Sequence, residues 1–220
     1  MIGEVSVSDV KDIKNPSVEN YNNIKPDSKH TMLQENEYWK GEFRKESEAA
    51  NIDNQSGIKE YKDDNGERYR EGDKLVPNNE YELNGYKYKT DNEGRIVSAE
   101  GKLKLRDPEY SRNMEHVRNM ENQEYHKTDD QSHLIGHQFG GSDRLGNLVP
   151  MDFKLNRGDF SKLENTLADA VEGGADVRMK VEPIYEENSA RPSEFRVTYS
   201  IDGERDVVVF KNEGEANYDK

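Results

Sequence analysis

The chain reads as an α+β protein built on a mainly antiparallel sheet. Three observations predict this: alternating polar and apolar residues from about Val76 to Leu105, one amphipathic helical run beginning near Phe153, and three further strand-like runs after it. The order strands, helix, strands points to α+β.

Residues 1–75 are expected to form a polar extension, because Asn, Ser, Asp, Lys and Glu mix there with little periodicity. Within it Met32, Leu33, Tyr38, Trp39 and Phe43 punctuate residues 32–50 at intervals compatible with one short amphipathic helix. Residues 51–68 read as a solvated linker. From Val76 alternation takes over, and the folded domain is expected over residues 76–212, with 213–220 as a tail. Asn84-Gly85 is a hairpin turn signal between strand-like tyrosines, and Asp91-Asn92-Glu93-Gly94 marks a second turn. Residues 96–105 read as the next strand, whereas 108–127 are polar and fit helix and loop equally. Asp152 is the expected N-cap of a helix from Phe153 to about Glu172, closed by Gly173-Gly174. Its apolar residues Phe153, Phe160, Leu163, Leu167 and Val171 fall on one stripe. Residues 177–185, 194–201 and 206–210 are strand candidates, with Asp202-Gly203 as a hairpin turn.

Composition sets limits on function. Of 220 residues only 31% are hydrophobic and 35% are charged, so one core is expected, with part of the chain poorly packed. No apolar run approaches the roughly 18 residues needed to span a bilayer, and Met1-Ile2-Gly3-Glu4-Val5-Ser6 does not read as a signal peptide. The absence of cysteine excludes disulfides, thiolate zinc sites and a cysteine nucleophile. A net charge of −14 argues against general nucleic-acid binding by the whole chain. Lys102, Lys104, Arg106, Arg112 and Arg118, set against Asp107, Glu109 and Glu115, leave room for a locally basic groove on an acidic body. The acidic remainder suits a basic partner.

The most specific stretch begins at Asp129-Asp130-Gln131-Ser132-His133 and runs through Gly140-Gly141 and Asn147-Leu148-Val149-Pro150 to Leu155-Asn156-Arg157-Gly158. Glu164 follows on the helix. Asn156 and Glu164 both interrupt the apolar stripe, and a buried amide or carboxylate is costly unless it is bonded or ligates a metal. Taken singly, each has an ordinary explanation: satisfied core polar groups, a half-buried strand histidine, a glycine loop, a turn. Their order and spacing together are specific.

That series, Asp130-x-x-His133, Gly140-Gly141, Asn147-x-x-Pro150, Leu155-Asn156-x-Gly158 and Leu163-Glu164, resembles the DNA/RNA non-specific endonuclease family within the ββα-metal (His-Me finger) nucleases. Weaker similarity reaches back to Asn84-Gly85-Tyr86-x-Tyr88-x-Thr90-Asp91 and forward to Arg191-Pro192-Ser193 and Tyr199. The resemblance implies a ββα-metal catalytic motif in the α+β fold. It makes His133 the general base, Asn156 a metal ligand, and Glu164 the helix carboxylate at the metal and its water. Asn147 is implied as a supporting residue at the substrate. The acidic motif reads Asp-Gln-Ser-His, where the family often has Asp-Arg-Gly-His or Asp-Gly-Gly-His, so a phosphate contact from that loop is missing. An Arg near the phosphate would stabilise the transition state: Arg118 is the candidate catalytic cation and Arg112 a substrate-binding one, and each taken alone also reads as a solvated surface charge.

The chemistry suits these residue types. A neutral imidazole with an ordinary pKa of ~6.5 takes a proton from water at neutral pH. Mg2+, with Mn2+ as its substitute, stabilises charge on the phosphate and needs few protein ligands. His137 follows His133 by four residues and invites a zinc reading, but no cysteine, no clear third histidine and no zinc-peptidase glutamate accompanies it.

The expected function is a magnesium-dependent, sequence-tolerant endonuclease that acts on DNA more than RNA. Its place behind a polar extension resembles the C-terminal toxin domain of a bacterial polymorphic toxin. Such a domain is delivered into a target cell as part of a larger secreted protein and is paired with a cognate immunity protein; no membrane role is expected. The alternatives are a catalytically inactive interaction module with the same fold and an extracellular nutrient nuclease.

Overall fold

A computed structural model describes residues 58–107, 123–187 and 189–213. The helix expected over residues 32–50, and both Arg112 and Arg118, lie outside the described residues.

Six strands form the main sheet. They are β4 (Glu80–Leu83), β5 (Tyr86–Thr90), β6 (Ile96–Lys102), β9 (Val177–Tyr185), β10 (Pro192–Ile201) and β11 (Glu204–Lys211), in the order β11-β10-β9-β6-β5-β4. Every neighbouring pair is antiparallel, as expected for α+β. The Asn84-Gly85 turn forms as read: both residues take positive φ, 56° and 79°, and Leu83 pairs with Tyr86. Such a left-handed pair matches the twist of a tight hairpin. Asp202 (φ 51°) and Gly203 (φ 89°) close the β10–β11 hairpin in the same way.

The ordered body starts ahead of Val76. Strands β1 (Glu60–Lys62), β2 (Arg68–Glu71) and β3 (Lys74–Leu75) form a small sheet in what was expected to be the end of the polar extension, β1 within the linker expected over 51–68. Tyr69 is fully buried and stacks on Tyr81 at 5.0 Å, which stacks on Tyr88 at 5.2 Å. The segment looks polar because one or two inward residues per short strand, Tyr69 and Leu75, are enough to dock it.

The remaining two strands, β7 (Asp129–His133) and β8 (Leu148–Asp152), form an antiparallel ribbon with His133 opposite Leu148. The Asn147-x-x-Pro150 segment is thus not merely a turn; it leads into a strand. Pro150 is tolerated in β8 because a two-stranded ribbon leaves each strand a free edge. The helix follows directly. Asp152 accepts the Lys154 N–H at 3.0 Å, the expected N-cap. The helix is not continuous: α1 (Phe153–Leu155) passes into a widened turn, Asn156–Phe160, in which Gly158 leaves helical geometry (φ −106°, ψ −108°), and α2 (Ser161–Glu172) resumes after it. The break moves Phe153 off the expected stripe, and its side of the helix is exposed. Phe160, Leu163 and Leu167 stay buried, with Phe160 5.7 Å from Phe210 and 6.2 Å from Phe195. Alternate residues of β9, β10 and β11 (Val177, Met179, Val181; Phe195, Val197; Val208, Phe210) supply the facing core.

A buried ion pair fixes the ribbon to the sheet. Arg191, just ahead of β10, grips Asp129 of β7 through Nε and Nη2, both at 2.7 Å, and its Nη1 donates to the Asn212 carbonyl at 2.8 Å. The Asn212 side chain accepts from Asp152 N at 2.8 Å and donates to the carbonyls of Pro150 (3.2 Å) and Pro192 (2.8 Å). The weak sequence signal at Arg191-Pro192 therefore marks a structural clamp.

Candidate active site

His133 is the last residue of β7, and its side chain is buried. Beyond it the chain makes a loop that returns to β8 through Asn147. That asparagine is fully buried and stitches the loop shut: Oδ1 accepts from Ile135 N at 3.0 Å, while Nδ2 donates to the carbonyls of Ile135 and Ser142, both at 2.9 Å. Gly141 permits the crossing, because a Cβ there would collide with the Ile135 carbonyl. The main sheet holds the loop from beneath. Tyr86 donates its hydroxyl to Phe139 O at 2.7 Å, Tyr81 to Gly146 O at 2.7 Å, and Asn84 Nδ2 to Gly140 O at 2.9 Å.

This scaffold delivers Asp143 to the histidines. Asp143 Oδ1 lies 2.8 Å from His133 Nε2 and 3.2 Å from His137 Nδ1, and Asp143 is itself buried. A carboxylate only accepts, so it selects the tautomer of His133 with the proton on Nε2 and the lone pair on Nδ1. Among the described residues Nδ1 makes no hydrogen bond, so it is the basic atom available to a reactant. Burial holds the His137 pKa below the ordinary histidine value; Asp143 opposes this and the charge of Arg106 adds to it.

Glu164 reaches the same loop from α2. Its carboxylate packs on Gly136, where a Cβ would collide with Oε1. Oε1 is sealed from solvent and has no hydrogen-bond partner among the described residues. Burial pushes the carboxyl up to about 7, against the pull of the Gly136 amide. Asn156 is held by a different carboxylate. Its Nδ2 donates to Asp130 Oδ2 at 3.0 Å, and Arg157 holds the same carboxylate from Nε (2.8 Å) and Nη2 (2.7 Å). The Asn156 amide oxygen has no donor among the described residues.

One expectation changes. Asn147 does not face a substrate, because it has no exposed surface and its amide is spent on backbone groups. Arg112 and Arg118 lie outside the described residues; a cation within them, near His137, is Arg106. Its backbone N–H donates to Gln138 O at 2.8 Å, and its Nε and Nη1 are buried without a partner among the described residues. Arg106 stood in the basic run of the sequence but had no motif to single it out. Asp143 was missed altogether; its only signal was a carboxylate just after the Gly-Gly pair. A groove of about 520 Å3 lies elsewhere, lined in part by Lys87, Lys102, Arg178 and Lys180 of the main sheet. Lys102 and Lys180 are paired there with Asp176 (2.6 Å) and Glu182 (2.5 Å).

The first strand of the ribbon ends in His133, and the helix after the second returns the Glu164 carboxylate to the loop behind it, the ββα order that the sequence resemblance implies. The sequence profile of the DNA/RNA non-specific endonucleases matches residues 77–203, and the chain belongs to that family. It is 36% identical over 142 residues to the type VII secretion system protein EssD of Staphylococcus aureus (strain USA300), a match covering 61% of this chain and 23% of that protein. EssD of strain NCTC 8325 / PS 47 matches equally. The chain thus spans less than a quarter of the length of these relatives. Among solved structures, the Sda1 nuclease with a bound zinc ion is 16% identical, with a TM-score of 0.48 over 59% of this chain and 76% of that one. An extracellular endonuclease is 24% identical, with a TM-score of 0.41 over 61% and 81%.

Proposed function

We propose that this protein hydrolyses phosphodiester bonds with a hard divalent cation, Mg2+ first and Mn2+ in its place, and cuts DNA in preference to RNA. The observation that carries this reading is the His133–Asp143 pair, which leaves Nδ1 of a buried imidazole free to take a proton from an attacking water. Arg106, with an unpartnered guanidinium beside His137, is the group best suited to a phosphate oxygen. The donor set suits magnesium: the orphaned Glu164 carboxylate and the Asn156 amide oxygen are both hard oxygen ligands. The bound ion would supply charge stabilisation at the phosphate and leaving oxygen. Glu164 and Asn156 would hold it, and Asp130 with Arg157 would orient the Asn156 amide.

At the level of biology, the reading is an antibacterial toxin domain. It is delivered to a target cell as part of a larger secreted protein and restrained by a cognate immunity protein. The similarity to part of a type VII secretion system protein supports delivery by secretion. The test is digestion of plasmid and of total RNA with Mg2+, with Mn2+ and with a chelator, for the intact protein and for His133→Ala. Cleavage that persists in chelator, or in His133→Ala at near the intact rate, would overturn the reading.

A further inference from the structure

His133, His137 and Asp143 each offer a ligand atom, and these atoms lie within 4.8 Å of one another. We propose that they form a site for a zinc-class transition metal that switches the nuclease off by forcing His133 into the wrong tautomer. The proposal rests on His133 being the general base.

Two imidazole nitrogens and a carboxylate oxygen are the ligands that zinc takes at ~2.0–2.2 Å, commonly three from protein with water as the fourth. They are poor ligands for magnesium, which prefers oxygen and keeps its waters. Imidazole sites rank zinc, copper and nickel well above hard ions. The two hydrogen bonds of Asp143, 2.8 and 3.2 Å, set two of the three ligand separations near that of adjacent tetrahedral ligands, ~3.3 Å for bonds of that length, and all three atoms lie within 4.8 Å of one another. The loop that carries them is braced by Asn147 and by the tyrosines of the main sheet, so little reorganisation is required. His137 is the most exposed of the three and offers a way in.

The consequence for catalysis follows from the two ring nitrogens. In the hydrogen-bonded state Asp143 keeps the proton of His133 on Nε2, and Nδ1 is basic. A metal on Nε2 displaces that proton and takes the lone pair it leaves, and the neutral ring then carries a proton from solvent on Nδ1. Nδ1 becomes a donor and no longer accepts a proton from water. Because Asn156 and Glu164 supply different ligands, magnesium does not compete for this site. Zinc therefore inhibits in a way that added magnesium does not relieve.

The experiment pairs a binding measurement with an activity measurement. Zinc chloride is titrated calorimetrically into metal-free protein, and cobalt(II) absorption is recorded on the same protein, for the intact chain and for His137→Gln. The expected result is one equivalent of zinc, a cobalt spectrum of tetrahedral intensity, and affinity lowered at least ~100-fold in His137→Gln, beyond the effect of losing an outer-shell partner. Plasmid cleavage in saturating magnesium should fall with one equivalent of zinc and should not recover when magnesium is raised tenfold. His137→Gln, which keeps His133 and Asp143, should resist zinc, each protein's rate being compared with its own rate in magnesium alone. Absence of zinc binding, equal binding by His137→Gln, or inhibition relieved by magnesium would overturn the proposal. Lack of cleavage in magnesium alone would instead overturn the nuclease reading, while the titration would still decide whether the metal site exists.

Discussion

Nδ1 of His133 is the atom on which the proposed hydrolysis turns, because Asp143 occupies the other ring nitrogen. Replacing His133 with Ala should lower the cleavage rate by ~10²–10⁴-fold, the usual loss when a positioned base is removed. A circular-dichroism melt run alongside separates this loss from unfolding. Glu164 carries a different signature. Its carboxyl is pushed up to about 7 from an ordinary 4.5, so between these values the folded protein keeps a proton that the unfolded chain has released. Its contribution to stability is therefore full below about pH 4.5, is lost as pH rises towards about 7, and is constant above that. Metal-free intact protein should lose melting temperature across this window relative to Glu164→Gln, which cannot ionise. Parallel melting curves from acid to neutral pH would show that the carboxylate is not desolvated as described. For Arg106, conversion to Ala should raise KM for DNA more than Arg106→Lys does, since lysine keeps the charge and loses the planar fork.

At the scale of elements, the site depends on two devices away from the reacting atoms. The loop after β7 is shaped by Asn147, whose three hydrogen bonds all go to backbone groups. Asn147→Ala strands those groups in the interior at about 1–3 kcal/mol each. It should reduce stability and, by releasing Asp143, cleavage as well; urea unfolding and plasmid assays on one preparation measure both. The ribbon itself is held by the Arg191–Asp129 pair, with side chains 7% and 0% exposed. Removing one partner of a buried pair costs about 3–5 kcal/mol, because the other charge is left without compensation. Arg191→Ala should therefore unfold at much lower denaturant than intact protein. A change under about 1 kcal/mol, the value of an exposed pair, would contradict the burial described. The break at Gly158 is the third element-scale feature: it takes Phe153 out of the core and sets Asn156 on Asp130 rather than in the apolar stripe.

On the scale of the whole molecule, charge and chemistry pull apart. The chain carries −14, yet the substrate proposed for it is a polyanion. Approach of nucleic acid then depends on local cations such as Arg106, and non-specific sticking is suppressed. If the proposed immunity protein exists, the acidic charge of the chain favours a basic patch on it and an association rate that falls as salt rises; stopped-flow mixing at two ionic strengths would measure this. If the toxin reading holds, expression of the intact chain in a bacterial cytoplasm should halt growth and degrade nucleic acid. Expression of His133→Ala should not. Harmless accumulation of folded intact protein would count against the toxin role.

What the sequence determined by itself was local. Periodicity and turn chemistry depend on near neighbours, so the Asn84-Gly85 and Asp202-Gly203 hairpins, the capped helix at Asp152 and the strands after it could be read directly. The ordered motif likewise exposed His133, Asn156 and Glu164. Tertiary structure decided the rest. The partner of His133 is ten residues away across a loop whose course is set by Asn147 and by tyrosines of a distant sheet. The partner of Arg191 is 62 residues away. A polar segment around Tyr69 became a sheet because an aromatic ladder, Tyr69-Tyr81-Tyr88, was there to receive it. Such contacts are made by groups that meet only when the core closes, and no local pattern encodes them. That is why sequence could point to His133 as the proposed base but not to the carboxylate that meets it.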